Sequence, residues 1–164
     1  MKGSAKKLVL AFGEYIKRER TTNFSVEKLC KEAGVHPQTF YYCFESKQDF
    51  LTFSLELFFS HLIYSPKEKS ITELNKFYDS IIKMSDKKKD FAENIFFNGP
   101  DKEIVNEYFY RYLSNLFSKL SKKLSKENKV ILFGAVIGVM LYSSYKGNEL
   151  DSYLLATKTL DYLE

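Results

Sequence analysis

The run His36-Pro37-Gln38-Thr39-Phe40-Tyr41-Tyr42 offers recognition chemistry rather than catalysis. A glutamine amide pairs bidentately with adenine, and threonine or proline packs against a thymine methyl. Tyrosine hydroxyls sit at the ends of rigid rings and suit contacts to phosphate, as do the Ser25 hydroxyl and the Lys47 ammonium on either side of the run. No arginine or lysine lies between positions 36 and 42 to read guanine, so any bases read directly are expected to be mainly A·T.

The surrounding residues supply the frame. A short helix ends at Ala33 and turns at Gly34, where glycine accepts the positive φ that follows a last helical turn. A second helix starts near Pro37, since the first turn tolerates a missing N–H. Leu29, Ala33, Val35, Phe40 and Phe44 are apolar and able to lock the two helices at a steep angle. That leaves His36, Gln38, Thr39, Tyr41 and Tyr42 on the outer face of the second helix. This is the grammar of a helix-turn-helix, whose second helix enters the major groove. Ser25 is a good N-cap for the first of the pair, and Ser46-Lys47-Gln48-Asp49 reads as a capping box opening the next helix.

Ala33-Gly34-Val35, then Thr39-Phe40-Tyr41-Tyr42-x-Phe44, then Ser46-Lys47 resemble the signature of the tetracycline-repressor (TetR) family of bacterial transcriptional regulators. The resemblance spans about Phe24 to Leu51. It implies that Ser25, Tyr41, Tyr42 and Lys47 occupy backbone-contacting positions and that His36, Pro37, Gln38 and Thr39 face base edges. It also implies a dimer formed by the last two helices and a second domain that senses a small molecule. Two positions depart from the pattern. Arg20-Thr21-Thr22-Asn23 stands where relatives usually have a glycine and an aromatic residue, and Cys43 stands where they often have histidine.

Length and charge agree with this reading. The 164 residues suffice for one good core or two small ones. Residues 1–50 hold nine Lys+Arg against six Asp+Glu, whereas the rest hold sixteen against fifteen. The basic bias therefore falls on the segment that would meet phosphate. Lys2, Lys6 and Lys7 also fit a backbone contact or plain surface. Cys30 and Cys43 lack zinc-type spacing and are expected to be free thiols, Cys30 on a buried helix face. No arginine-rich or apolar leader is seen and the apolar runs are shorter than a membrane span, so no membrane partner is expected; with the resemblance to TetR regulators, this implies a cytoplasmic location.

The periodicity is helical throughout, so the fold class is all-α. A three-helix helix-turn-helix domain is expected over residues 1–47, followed by a small helical regulatory and dimerisation domain over 48–164. Helices are predicted at about 5–19, from Ser25, from Pro37, from Ser46 to a break at Ser65-Pro66, and from Ser70. A charged run at Asp86–Asp90 precedes a short helix, Asn98-Gly99-Pro100 is a stop, and Asp101 is expected to cap six turns of helix. The last two helices fall at about 126–146 and 149–163. Within the first, Val130 to Tyr145 reads as a buried helix, apolar over more than one face, which a second subunit would cover. Phe133, Gly134, Ile137, Gly138 and Leu141, with Tyr153, Leu154, Thr157 and Leu160, form the expected dimer seam.

Phe58, His61, Leu62, Tyr78, Ile82, Phe91, Ile95, Tyr108 and Tyr112 are candidates to line a cavity for a small apolar or aromatic effector, although each also reads as plain core. A DNA-binding repressor released from a pseudo-palindromic operator by such an effector is the leading expectation. The alternatives are a helix-turn-helix adaptor working through protein contacts, or a haem or metal sensor using His61. Without a glycine-rich phosphate loop, a metal-ligand cluster or an acid–base pair, neither enzymatic activity nor a cofactor is expected.

Overall fold

A computed structural model describes residues 3–87, 93–99, 101–147 and 149–163. Lys2, Phe91, Pro100 and the side chains of the Asp86–Asp90 run, all singled out above, lie outside the described residues. Among those described, every regular element is helical: α1 Gly3–Glu19, α2 Val26–Ala33, α3 Pro37–Cys43, α4 Lys47–Leu62, α5 Ile71–Lys87, α6 Glu93–Asn98, α7 Lys102–Leu120, α8 Lys126–Lys146 and α9 Ser152–Leu163. α6 is wound as a π-helix. The chain divides into two compact units, 1–58 with 94–108 and 59–93 with 109–164.

In the first unit, α1, α2 and α3 pack on one another around an aromatic core. Leu8, Phe12 and Ile16 recur at helical spacing on α1 and are buried, as are Leu29 and Cys30 on α2 and Phe40 on α3. Burial pushes the Cys30 thiol above its ordinary pKa, which keeps it a protonated apolar filler. Phe50, at the start of α4, is fully buried among the rings of Phe12, Phe24, Phe40 and Phe44, with centroids 4.9–5.3 Å away.

The α1–α2 link explains the departure at Arg20. Arg20 itself takes the left-handed conformation, φ 60°, that a glycine would accept freely. Asp101 holds the residues that follow: its carboxylate accepts from the Thr22 N–H at 2.8 Å and from the Thr21 hydroxyl at 3.1 Å. The expected role of the Asp101 side chain as a cap for α7 is therefore replaced by a long-range clasp. An L-residue in this conformation stores strain. Arg20→Gly should stabilise the protein by about 0.5–1 kcal/mol, after glycine's entropy is set against the relieved strain. Urea midpoints of the two proteins measure it.

In the second unit α5 packs against both α8 and α9. Leu74, Phe77, Tyr78, Ile81 and Ile82 recur at helical spacing and are buried, and the Tyr78 hydroxyl bonds Thr159 of α9. Ser70 caps α5, but Glu73 does not return the bond as a capping box would. Instead its carboxylate accepts from Lys76 Nζ at 2.7 Å, the Lys67 N–H at 3.0 Å and the Tyr64 hydroxyl at 2.7 Å, fastening the α4–α5 link. These three donors, Lys76 first, lower the Glu73 pKa from 4.5 to about 2. A carboxylate with a depressed folded-state pKa stabilises the fold above its unfolded value and loses that contribution as pH falls towards the folded one. Between pH 4.5 and about 2 the wild type should therefore lose stability more steeply than Glu73→Gln. Urea midpoints recorded across that range check the difference in slope.

Three elements differ from the sequence pattern, which runs α4 through Phe50, Leu51, Phe53, Leu57, Phe58, His61 and Leu62, puts Ile104, Tyr108, Tyr112, Leu116 and Leu120 along α7, and starts α9 near residue 149. On α4 the buried stripe is Phe50, Leu51, Ser54, Leu55 and Phe59; Phe53 and His61 are exposed and Phe58 is half-buried. On α7 it is Val105, Tyr108, Phe109, Leu113, Leu116 and Phe117, leaving Ile104 40% exposed. α9 starts at Ser152 because Asp151 is the cap, accepting from the N–H groups of Tyr153 and Leu154. A fourth difference concerns α8, which is long and apolar enough to cross a membrane, yet only 33% of its apolar stretch is buried within the chain.

Candidate nucleic-acid interface

The turn before α3 is built from backbone geometry. Gly34 takes φ 64°, and the Val35 and Gly34 N–H groups bond Cys30 O and Lys31 O at 2.9 and 3.2 Å. This pair of bonds is a Schellman motif, and it fixes the exit of α2. α3 then starts with His36 as N-cap and Pro37 in its first turn. His36 Nδ1 accepts from the Gln38 N–H at 3.3 Å, so the neutral ring carries its proton on Nε2 and keeps one donor for another partner. Sequence reasoning placed His36 on the reading face without this capping role. The signal was present, because a side-chain acceptor before proline can cap as Asn or Asp does.

Phe40 and Phe44 anchor α3 from below, 0% and 7% exposed. The opposite side of the helix is open. Tyr42 is 81% and Tyr41 60% exposed, His36 and Gln38 are exposed, and Pro37 and Thr39 are half-exposed. Such exposure of two tyrosines on a seven-residue helix is costly surface unless something covers it.

The flanking groups are held in place. Ser25 caps α2 by accepting from the Lys28 N–H at 3.5 Å, which leaves its hydroxyl proton available. Lys47 opens α4, donates to Asn23 Oδ1 at 3.3 Å and lies 4.6 Å from the centroid of the Phe24 ring. An exposed ammonium restrained at a helix start, where unpaired N–H groups point outward, suits an anion. All eight predicted nucleic-acid residues therefore belong to the first unit, and none is buried. Lys6 and Lys7 are exposed on α1.

The effector candidates divide between the units. Phe58, Ile95 and Tyr108 belong to the first; His61, Leu62, Tyr78, Ile82 and Tyr112 belong to the second. Tyr108 is buried and its hydroxyl bonds Gln48 and Thr52 of α4. Tyr78 and Ile82 are buried in the packing of α5. Among the described residues, no three His, Cys, Asp or Glu side chains converge as metal ligands.

Three solved structures resemble the whole chain. The fatty acid degradation regulator FadR of Bacillus halodurans is 15% identical, with TM-score 0.55 over 99% of this chain and 95% of its own. A Pseudomonas aeruginosa PAO1 protein described as a transcriptional regulator is 16% identical, with TM-score 0.59 over 96% and 88%. FadR of Bacillus subtilis, solved in complex with stearoyl-CoA, is 16% identical, with TM-score 0.54 over 96% of each chain. The chain shares their fold. No family model and no curated protein sequence matches it.

Proposed function

We propose that the protein is a sequence-specific DNA-binding transcriptional regulator of the TetR type, acting as a homodimeric repressor on a pseudo-palindromic operator. The observation that carries this reading is the outer face of α3. Its reading residues stay exposed while Phe40 and Phe44 pin the helix to a rigid aromatic core. Residues 1–47 form the DNA-binding part in this proposal and 48–164 the regulatory and dimerising part. His36, Pro37, Gln38 and Thr39 meet base edges, while Ser25, Tyr41, Tyr42 and Lys47 meet phosphates.

The dimer is supported by what α8 and α9 leave uncovered. None of the nine seam candidates is buried within the chain. Ile131, Tyr142 and Tyr145, which the sequence reading did not single out, extend the exposed apolar stripe on α8, as Tyr162 does on α9. A second copy covers such a stripe with like chemistry, the self-complementary arrangement of two-fold dimers.

The regulatory step needs no bond chemistry. An effector that binds the non-DNA geometry more tightly lowers operator affinity by the same coupling factor, typically ~1–3 kcal/mol or about 5- to 150-fold. We assign that effector to the class of small apolar or aromatic molecules.

Salt dependence tests the DNA reading. Operator affinity should fall steeply with salt, and Lys47→Ala should reduce the log–log slope by about one per half-site. Affinity for duplex DNA that is indifferent to salt and to Lys47 would instead favour an adaptor that recognises protein.

A further inference from the structure

We propose that the cleft between α7 and α8 in the second unit is a binding site for the phosphate group of a small molecule. The cleft has a volume of about 430 Å³ and is lined by Tyr110, Arg111, Ser114 and Asn115 of α7 and by Lys126 and Lys129 of α8. Three of its six lining residues are cations and none is a carboxylate.

Charge along the chain points to the same place. Residues 111–129 contain six Lys+Arg and one Glu, a net +5, whereas the whole chain is only +4. Outside this segment the protein is net negative, even with the DNA-reading residues included. Cations gathered at this density repel one another, and no ion pair among the described residues uses Lys126 or Lys129. An anion between them relieves that repulsion.

The remaining lining groups fit a phosphate better than a lone carboxylate. A guanidinium can engage two phosphate oxygens in parallel, and lysines add point charges. The Asn115 amide and the Tyr110 hydroxyl are further donors, and the buried Ser114 hydroxyl beside them has no hydrogen-bond partner among the described residues. Tyr110 is steadied by an edge-to-face contact with Phe133, centroids 5.4 Å apart at 87°. A concave site of this volume matches small molecules; a nucleic-acid backbone is instead tracked along an extended groove. Lys129 and Gly138 are nine residues apart, two and a half turns, so Lys129 faces away from Gly138, while Phe133, packed on Tyr110, borders both the cleft and the proposed dimer seam.

That the phosphate is carried by the same molecule whose apolar or aromatic part makes it the effector rests on the regulator reading; that the cleft binds phosphate does not. The test therefore reads binding alone. The full chain is titrated with pyrophosphate by calorimetry in low salt, in the absence of DNA. Saturable binding at one site per chain is expected, weakened about 100-fold by Lys126→Ala with Lys129→Ala, at about tenfold for each lost charge-assisted bond. Lys146→Ala with Lys158→Ala removes the same charge elsewhere in the second unit and should change affinity less than twofold. If the first pair compromises folding, Lys126→Gln alone should cost about tenfold. No saturable binding would overturn the proposal, and so would equal losses from both pairs. Loss through Lys47→Ala instead would also overturn it, because it would put the anion on the DNA face. A weakened duplex affinity with unchanged pyrophosphate affinity in the Lys126, Lys129 variant would make the segment a nucleic-acid contact, which is a different assignment.

Discussion

Phe50→Ala should destabilise the protein by about 3–5 kcal/mol, enough to unfold much of a marginally stable domain. Phe50 is fully buried, and four rings from α1, the α1–α2 link, α3 and the residue that ends α3 stand within 5.3 Å of its centroid. Removing it opens a cavity that Phe12, Phe24, Phe40 and Phe44 can close only by moving the helices that carry them. Edge-to-face contacts are lost as well, each worth about 0.5–1.5 kcal/mol beyond area. α3 stands on Phe40 and Phe44, so operator binding should disappear with the tertiary signal. Urea unfolding followed by tyrosine fluorescence gives the energy, and duplex binding at fixed salt gives the functional loss. A fall in stability below about 1 kcal/mol would mean that the aromatic core is not the platform for α3.

The second large effect is expected at Gly138. Nothing lies within 4 Å of the place where a Cβ would stand on Gly134 or Gly138. Within one chain there is thus room for a side chain, and an α-helix interior gains roughly 0.5–1 kcal/mol when glycine is replaced by alanine. Gly138→Glu should therefore fold as well as the parent. In the proposed dimer the same position lies in the seam between apolar faces, where an unpaired charge costs about 3–5 kcal/mol. The dimer dissociation constant should rise about 150- to 4500-fold by analytical ultracentrifugation, at about 1.4 kcal/mol per tenfold, and operator affinity should drop as half-sites are bound singly. A variant that remains dimeric at unchanged affinity would move the interface off this face.

The helix-turn-helix was legible because its signals are local. Gly34, Pro37, Ser25 and Ser46 each act on backbone within a few residues, and α2, α3 and the start of α4 fall where those residues put them. The faces of α4 and α7 were not. Phe50, Leu51, Phe53, Leu55, Leu57, Phe58, Phe59 and Leu62 are apolar almost all round α4, so two stripes fit the period and only tertiary packing selects one. Asp101 was hidden for another reason. Its partners, Thr21 and Thr22, are 80 and 79 residues away, while a carboxylate one residue before a helix looks like a cap from sequence alone. Arg20 could be located as a departure from a glycine position, but its left-handed backbone is visible only in the folded chain. The cationic cleft escaped because Arg111 and Lys126 are fifteen residues apart and meet through the turn between α7 and α8.

Selection of the purified protein on random duplexes at near-physiological salt tests the central claim most directly. The account predicts an enriched inverted repeat, with A·T pairs where Gln38 and Thr39 enter the groove and a centre-to-centre spacing set by two α3 helices. No enrichment would contradict sequence-specific recognition by α3. An enriched repeat whose half-sites turn on G·C pairs under α3 would keep the regulator but contradict the reading of its bases.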